Sequence, residues 1–400
     1  MKNDAWSMTT LGAVTDWSSG GTPSKSNPSF WNGDIPWISA SSMKISRLFN
    51  SELKITPSGL KNGSRLADKN SILLLVRGSE LHKRIPIGIA TRSLAFNQDV
   101  KALKAKAGLL PEYLLYWFLA AEPLLLSKVE HTGIGAGKLD TNVLKNLTFA
   151  LPKEIEQQAV TSVLAALDDK IELNLRMNET LEALARSHFK SRFVDAVVTK
   201  LPKGWHAGKL RDCCERVENG GTPKRDEPSF WTPGTIPWLT SGEVRQAIVT
   251  RSENFISEEG LENSSAKLWP AATTVVALYG ATAGQVCFLG DTMCSNQACC
   301  GLIPKTDLRY YVYLHASSSV AAFEQQTRGS AQQNLSQQIV ADFPTIIPDE
   351  ETLGEFDQIV HPLFSRWIAN LQESRALAEL RDALLPKLLS GELRVPAKAG

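Results

Sequence analysis

The feature that most constrains what this chain can fold into is that its sequence is written twice. Gly20-Gly21-Thr22-Pro23 recurs as Gly220-Gly221-Thr222-Pro223, and Pro28-Ser29-Phe30-Trp31 as Pro228-Ser229-Phe230-Trp231, both at an offset of 200. After one inserted residue, Ile35-Pro36-Trp37 matches Ile236-Pro237-Trp238. Further on, Asn97-Gln98 matches Asn296-Gln297, and Gly133, Leu139 and Pro152 match Gly329, Leu335 and Pro348 at an offset of 196. Self-similarity over such a length predicts two homologous domains, not one large core. The 400 residues are 43% hydrophobic and 21% charged, enough for two or three cores and too apolar for a disordered or fibrous chain.

Each half runs in the same order. Roughly 150 residues dense in Gly, Pro, Trp and short β-like runs are followed by a long stretch poor in both glycine and proline. The β-like runs include Ser71–Val76 and Ile85–Ala90 in the first half, and Thr273–Leu278 and Gln285–Leu289 in the second. The predicted class is α+β, with two mixed α/β domains. Their boundaries fall at 1–152 and 201–348, with long helices over 153–200 and 349–400, the latter including a C-terminal tail.

Steps of four and three along the first helix give Val160, Leu164, Leu167, Ile171, Asn174, Asn178, Leu181, Ala185 and His188. At an offset of 196 the second gives Phe356, Val360, Leu363, Trp367, Asn370, Ser374, Leu377, Arg381 and Leu384. Polar residues in mid-seam cost stability but fix register. If the helices pack antiparallel as a coiled coil, Asn174 and Asn370 are expected to meet near a pseudo-twofold axis. The alternative is two separate amphipathic helices, each on its own domain.

Net charge is +1, which neither supports nor excludes a nucleic-acid partner. Divided by segment, residues 1–152 carry 18 basic and 11 acidic groups, whereas 201–348 carry 12 and 14. Only the first domain is suited to phosphate by charge alone. The most apolar stretch, Leu109–Leu126, contains Glu112, Glu122, Pro111 and Pro123 and reads as a core helix, not a membrane span. The first twenty residues lack a secretory pattern, so a cytoplasmic location is expected.

Several chemistries are disfavoured. The six cysteines all lie in the second half with no Cys-x-x-Cys pair, which predicts buried thiols and no metal site. Gly133-Ile134-Gly135-Ala136-Gly137-Lys138 resembles a phosphate loop, but it is one residue short between its flanking glycines. Leu139 stands where the magnesium-binding hydroxyl would be. Asn27-Pro28-Ser29-Phe30 looks like a methyltransferase base-holding loop, yet no glycine-rich turn for a methyl donor accompanies it. His188 reads as structural, and Asp349-Glu350-Glu351 as a helix start favoured by the macrodipole. No catalytic residues are assigned.

The ordered, duplicated Gly-Gly-Thr-Pro, Phe-Trp, Ile-Pro-Trp and Asn-Gln blocks resemble the specificity subunit of type I restriction-modification enzymes over nearly the whole chain. Leu201-Pro202-Lys203-Gly204-Trp205 opening the second domain supports this, as do Phe189-Lys190-Ser191-Arg192-Phe193-Val194-Asp195 and Leu384-Leu385-Pro386-Lys387-Leu388-Leu389-Ser390-Gly391 closing the helices. The resemblance implies a noncatalytic subunit in which each domain reads one half of an asymmetric bipartite DNA target. The helices would form an antiparallel spacer; some 45 residues would span about 68 Å. It further implies two modification (methyltransferase) subunits and additional restriction (endonuclease/translocase) subunits as partners. S-adenosylmethionine, ATP and Mg2+ would belong to those partners, with no cofactor in this chain and no membrane partner.

Base readout needs polar side chains on variable loops. Candidates are Lys44, Arg47, Arg77, Ser79, His82, Lys83 and Arg84 in the first domain, and Ser241, Glu243, Arg245, Tyr279, Thr282, Gln332 and Gln333 in the second. The helix-pair seam is assigned to Leu164, Leu167, Ile171, Asn174, Asn178, Leu363, Trp367, Asn370 and Ser374. The recurring Trp31, Trp37, Trp231 and Trp238 are expected to pack cores. A competing reading is a noncatalytic scaffold whose two aromatic-rich domains bind a protein or glycan.

Overall fold

The computed structural model describes residues 6–131, 135–197, 201–328 and 334–396. The chain forms two compact units, residues 1–170 with 377–400, and residues 171–376. This division cuts both long helices, unlike the boundaries read from sequence, because each helix end is packed into the core nearest to it.

In the first unit a five-stranded sheet runs in the order Thr15–Ser19, Val100–Ala105, Ile72–Leu75, Ile87–Ala90, Arg47–Leu48. Only its last pair is parallel. The middle strand Ile72–Leu75 is buried at every position, and so is Ile87–Ala90, which explains why both read as unbroken apolar runs and not as alternating ones. The expected helix over Leu109–Leu126 is two helices, Pro111–Ala120 and Glu122–Leu126, because Pro123 restarts the turn after Ala121. A second sheet holds Lys54–Ile55, Trp31–Ile38, Leu94–Phe96 and Arg65–Ala67.

The second unit repeats the plan. Its five-stranded sheet runs Cys214–Asn219, Cys299–Pro304, Thr274–Ala277, Val286–Leu289, Ile248–Val249, again with a parallel last pair. A smaller sheet joins Phe255–Ile256, Ile236–Leu239 and Cys294–Ser295.

The recurring motifs build one clasp in each unit. A Cβ on Gly20 would lie 2.1 Å from the Phe96 carbonyl oxygen, and one on Gly220 would lie 2.4 Å from the Asn296 oxygen, so neither position admits a side chain. The Trp37 indole N–H donates to the Gly21 carbonyl (3.0 Å) and Trp238 does the same to Gly221 (2.9 Å). Trp31 and Trp231 donate to Ser24 and Lys224 and stand edge-on to their tryptophan neighbours, with ring centroids 5.3 Å apart in both units. The four tryptophans thus tie a loop to the small sheet. The Asn27 side chain caps the turn of Pro28–Phe30 by accepting from Ser29 N (3.1 Å), a packing role.

The first long helix is Glu154–Phe189 and the second Glu350–Ser390. The first is shorter than its sequence span because it widens into a π turn at Lys190–Val194, which turns both Phe189 and Phe193 into the aromatic core around Tyr311 and Phe356. The seam therefore continues through Ala185 and Phe189, whereas His188, placed on it by sequence stepping, is exposed. The second helix is capped by Asp349, which accepts from Thr352 N (2.8 Å) and from the Trp205 indole (3.1 Å). It runs on through Pro362 and Pro386, each of which deprives it of a backbone N–H.

In the first unit Val160 and Leu164 share a core with Leu385, Leu388 and Leu389, and the Arg381 guanidinium binds Asp168 (2.7 Å), whose other oxygen accepts from the Tyr116 hydroxyl (2.7 Å). In the second unit Asn174, Asn178, Asn370 and Trp367 are buried, while Ile171, Leu363 and Ser374 are half-buried; Leu167, in the first unit, is half-buried too. The meeting expected of Asn174 with Asn370 takes a crossed form. Asn174 Nδ2 donates to Ser374 Oγ (3.2 Å) and Glu373 Oε2 (2.9 Å), and Asn370 Nδ2 donates to Asn178 Oδ1 (2.9 Å). Helical side chains lean toward their own N-terminus, so on oppositely directed helices each tip meets the seam residue one turn beyond its counterpart. An ion pair from Arg192 to Glu355 continues the same opposed order.

Arg381→Ala is expected to remove about 2–3 kcal/mol of stability, because it leaves the shielded Asp168 carboxylate without its cation; the midpoint of urea unfolding measures it. His315 Nε2 donates to the Pro344 carbonyl (3.1 Å) and its ring stacks on Tyr311, and burial holds its pKa below the ordinary 6.5. A depressed folded-state value means that its stabilisation is complete above about pH 6.5 and is lost as pH falls through the folded value. His315→Leu should therefore narrow the difference in melting temperature between neutral and mildly acidic buffer.

Candidate nucleic-acid interface

In the first unit the chain leaves the buried strand Ile72–Leu75 through Val76 and forms a three-stranded patch from Glu130–His131, Gly137–Lys138 and Arg77–Gly78. Gly78 has φ +150°, a conformation closed to side chains. The patch is fixed from below. Leu139 N donates to the Val76 carbonyl (2.9 Å), and a Cβ on Gly137 would lie 2.8 Å from both Leu81 Cβ and Val129 Cγ1. The short 3-10 turn Ser79–His82 buries Leu81 and leaves Ser79 and His82 exposed, followed by exposed Lys83. His82 Nε2 lies 3.1 Å from the Gly135 carbonyl.

Arg84 ties this segment to the Lys44 loop. Its Nη1 donates to the Met43 carbonyl (3.1 Å) and its Nε lies 3.4 Å from Glu80. Lys44 is exposed beside it. Lys44, Arg77, Ser79, His82 and Lys83 are each exposed, and Arg84 links the Lys44 loop to the segment that carries the others. Arg47 is different: its guanidinium pairs with Asp169 on the first long helix, a packing role that the sequence reading did not give it.

The second unit places counterparts by the same backbone device, with Leu335 N donating to the Leu278 carbonyl (3.0 Å). Tyr279, 38% exposed, occupies the place of Arg77, and Gly280 (φ +76°) that of Gly78. Arg245 occupies the place of Lys44 and reaches the Ala281 carbonyl with Nη2 (3.2 Å), linking the two candidate loops. Ser241 is half-buried at the loop's start.

Two residues of the sequence-derived set are turned inward. Glu243 is 9% exposed; its Oε2 accepts from Thr240 N (2.8 Å) and Thr240 Oγ1 (2.8 Å) and its Oε1 from Glu253 N (3.0 Å). Its burial and its bonds to Thr240 and Glu253 commit it to organising the loop. Thr282 is 6% exposed and packs under the turn Gly280–Thr282. In the first unit Ser42 stands at the Glu243 position and meets Ser51 (2.8 Å), which bonds the Trp37 carbonyl as Ser252 bonds that of Trp238. Gln332, Gln333, Gly133 and Gly329 lie outside the described residues. Register sets Lys138, which the sequence-derived set does not contain, directly opposite Arg77; its repeat partner is Asn334.

Other chemistry finds little support here. All six cysteines are buried, and burial pushes the Cys213 thiol up to about 11 and Cys294 and Cys299 up to about 12, so they are protonated and unreactive at neutral pH. Among the described residues no group of three His, Cys, Asp or Glu could hold a metal ion, and no helix is long and apolar enough to cross a membrane.

Residues 3–183 and 202–375 match the family model described as type I restriction modification DNA specificity domain, one match in each half. The chain is 27% identical over 414 residues to the Type I restriction enzyme MjaIX specificity subunit of Methanocaldococcus jannaschii, covering 98% of this chain and 94% of that one. It is 33% identical over 161 residues to the EcoR124I/EcoR124II specificity subunit of Escherichia coli, covering 40% of each. Its fold is similar to the crystal structure of a type I restriction-modification S subunit from M. genitalium, with a TM-score of 0.63 at 15% identity and 97% of both chains covered.

Glu243→Ala strands buried donors on Thr240 and Glu253 and is expected to cost about 2–3 kcal/mol. Denaturant unfolding of the full chain followed by hydrogen exchange should place the loss in the second unit, with the Ile72–Leu75 strand as protected as before.

Proposed function

The chain belongs to the type I restriction-modification DNA specificity family, and we propose that it is the sequence-specific DNA-recognition subunit of such a complex, each unit reading one half of an asymmetric bipartite target. One observation carries this reading: two domains of the same strand order present different polar side chains at the same exposed place, Arg77 against Tyr279. Duplication of a scaffold with divergence at one surface suits a molecule that reads two different sequences with one architecture. Phosphate contacts set register and affinity, and base-edge contacts set specificity.

In this reading the two long helices form an antiparallel coiled-coil spacer with internal pseudo-twofold symmetry. They set the separation of the half-sites and offer docking surface to two modification subunits. The subunit itself is noncatalytic. The assembled complex would be a DNA adenine methyltransferase and an ATP-dependent endonuclease in the cytoplasm, with S-adenosylmethionine, ATP and Mg2+ held by the modification and restriction subunits. The crossed Asn174–Ser374 and Asn370–Asn178 hydrogen bonds support the symmetric spacer, since the two bonds are related by the offset of the repeat.

Long-read mapping of methylated adenines should show a bipartite motif in cells carrying this gene with its modification partner and no such motif when this gene alone is deleted. Replacing residues 1–152 with a homologous domain should change one half of the motif only. An unchanged methylation pattern after deletion, with an active partner, would instead favour a protein- or glycan-binding scaffold.

A further inference from the structure

We infer that Lys138 acts with Arg77 as a specificity-determining residue of the first unit and that the pair reads guanine in its half-site. The inference rests on the DNA-recognition reading above. It begins from strand register. Glu130, Lys138 and Arg77 lie directly across three adjacent antiparallel strands, so their side chains project from one face of the patch.

The charges in that row do not balance. The Lys138 ammonium is 3.7 Å from the Glu130 carboxylate, while Arg77 is exposed and makes no hydrogen bond or ion pair among the described residues. Cations directly opposite each other repel, and one carboxylate cannot neutralise both. The backbone beneath has little freedom to relieve this: Gly137 is pressed on Leu81 and Val129, Gly78 holds φ +150°, and Leu139 is bonded to Val76. Two donors are thereby held side by side on a rigid frame, and an anionic or acceptor-rich partner compensates them.

The repeat distinguishes a base edge from a phosphate as that partner. Phosphate is the same at both half-sites, so a residue that serves it should keep its charge in both units, as Lys44 and Arg245 do at corresponding positions. Lys138 and Arg77 do not keep theirs. Their counterparts are Asn334 and Tyr279, presented by the matching backbone bond from Leu335 to Leu278. Where the frame is constant and the donor set changes, the variable is the base. In the major groove guanine offers two adjacent acceptors, O6 and N7, whereas adenine pairs its acceptor with a donor; two adjacent cationic donors, with the Glu130 carboxylate paired to Lys138, select guanine.

The test is Lys138→Gln in the full-length chain, expressed with its modification partner and read by genome-wide methylation mapping. A guanine in one half of the motif should lose about tenfold or more of its preference, while the other half and the unfolding midpoint stay as in the wild type. An unaltered motif overturns the inference, whether methylation stays complete or merely weakens with a shallower salt dependence, since the latter marks a phosphate contact. Changes in both halves, or a lowered unfolding midpoint, overturn it as well. If methylation disappears while the unfolding midpoint is unchanged, binding of the Lys138→Gln complex to duplexes carrying each base in turn at that guanine decides: loss of the guanine preference supports the inference, and a retained preference with uniformly weaker binding overturns it. A wild-type chain that gives no gene-dependent bipartite motif would remove the underlying reading instead.

Discussion

Each long helix carries a single apolar stripe that no one domain buries along its whole length, and the rest of the structure depends on how that stripe is covered. In the first unit its partners are aliphatic, Val160 and Leu164 against Leu385, Leu388 and Leu389, with the Asp168–Arg381–Tyr116 polar link at the margin. In the second they are aromatic, with Phe189, Phe193, Phe356 and Phe364 around Tyr310 and Tyr311. Side chains of this size contribute about 1.5–3 kcal/mol each when fully buried. Between these lie the asparagines, which trade some of that burial for register. Asn178 Nδ2 and Asn370 Oδ1 find no partner among the described residues, a cost consistent with specifying an alignment and not with maximising stability.

Recurrence and divergence divide the residues by physical role. The Gly-Gly-Thr-Pro loop recurs because its glycines touch backbone where no Cβ fits and its carbonyls satisfy buried indole N–H groups. The tryptophans recur because they close that clasp. Residues at loop tips are released from such constraints, so Arg77 can be exchanged for Tyr279 without disturbing the strand that ends beside it. The exchange of Ser42 for Glu243 shows an intermediate case, in which one loop is organised by two hydroxyls and the other by a buried carboxylate.

Much of the fold was legible in the sequence because it rests on local or repeated signals. The buried strands fall within one or two residues of the apolar runs, and the acidic start of the second helix is a true cap. The interface was less legible. Charge and loop position selected Lys44, Arg77, Ser79, His82 and Lys83, which are exposed, and also Arg47, which pairs with a helix distant in sequence, and Glu243 and Thr282, which are buried. The juxtaposition of Lys138 with Arg77 was hidden because it comes from a strand pairing across sixty-one positions, and His188 was misplaced because the helix widens where two phenylalanines turn inward.

By itself the sequence determined the duplication, the α+β class, the two amphipathic helices and the polar break in their seam, since periodicity and repetition are properties of a chain before it folds. Only the tertiary structure decided which polar side chains face outward, which carboxylate is buried, and which residues stand opposite one another. Those outcomes depend on hydrogen-bond partners and strand register supplied by segments far apart in the chain, and one residue of slip would reverse the face on which each side chain lies.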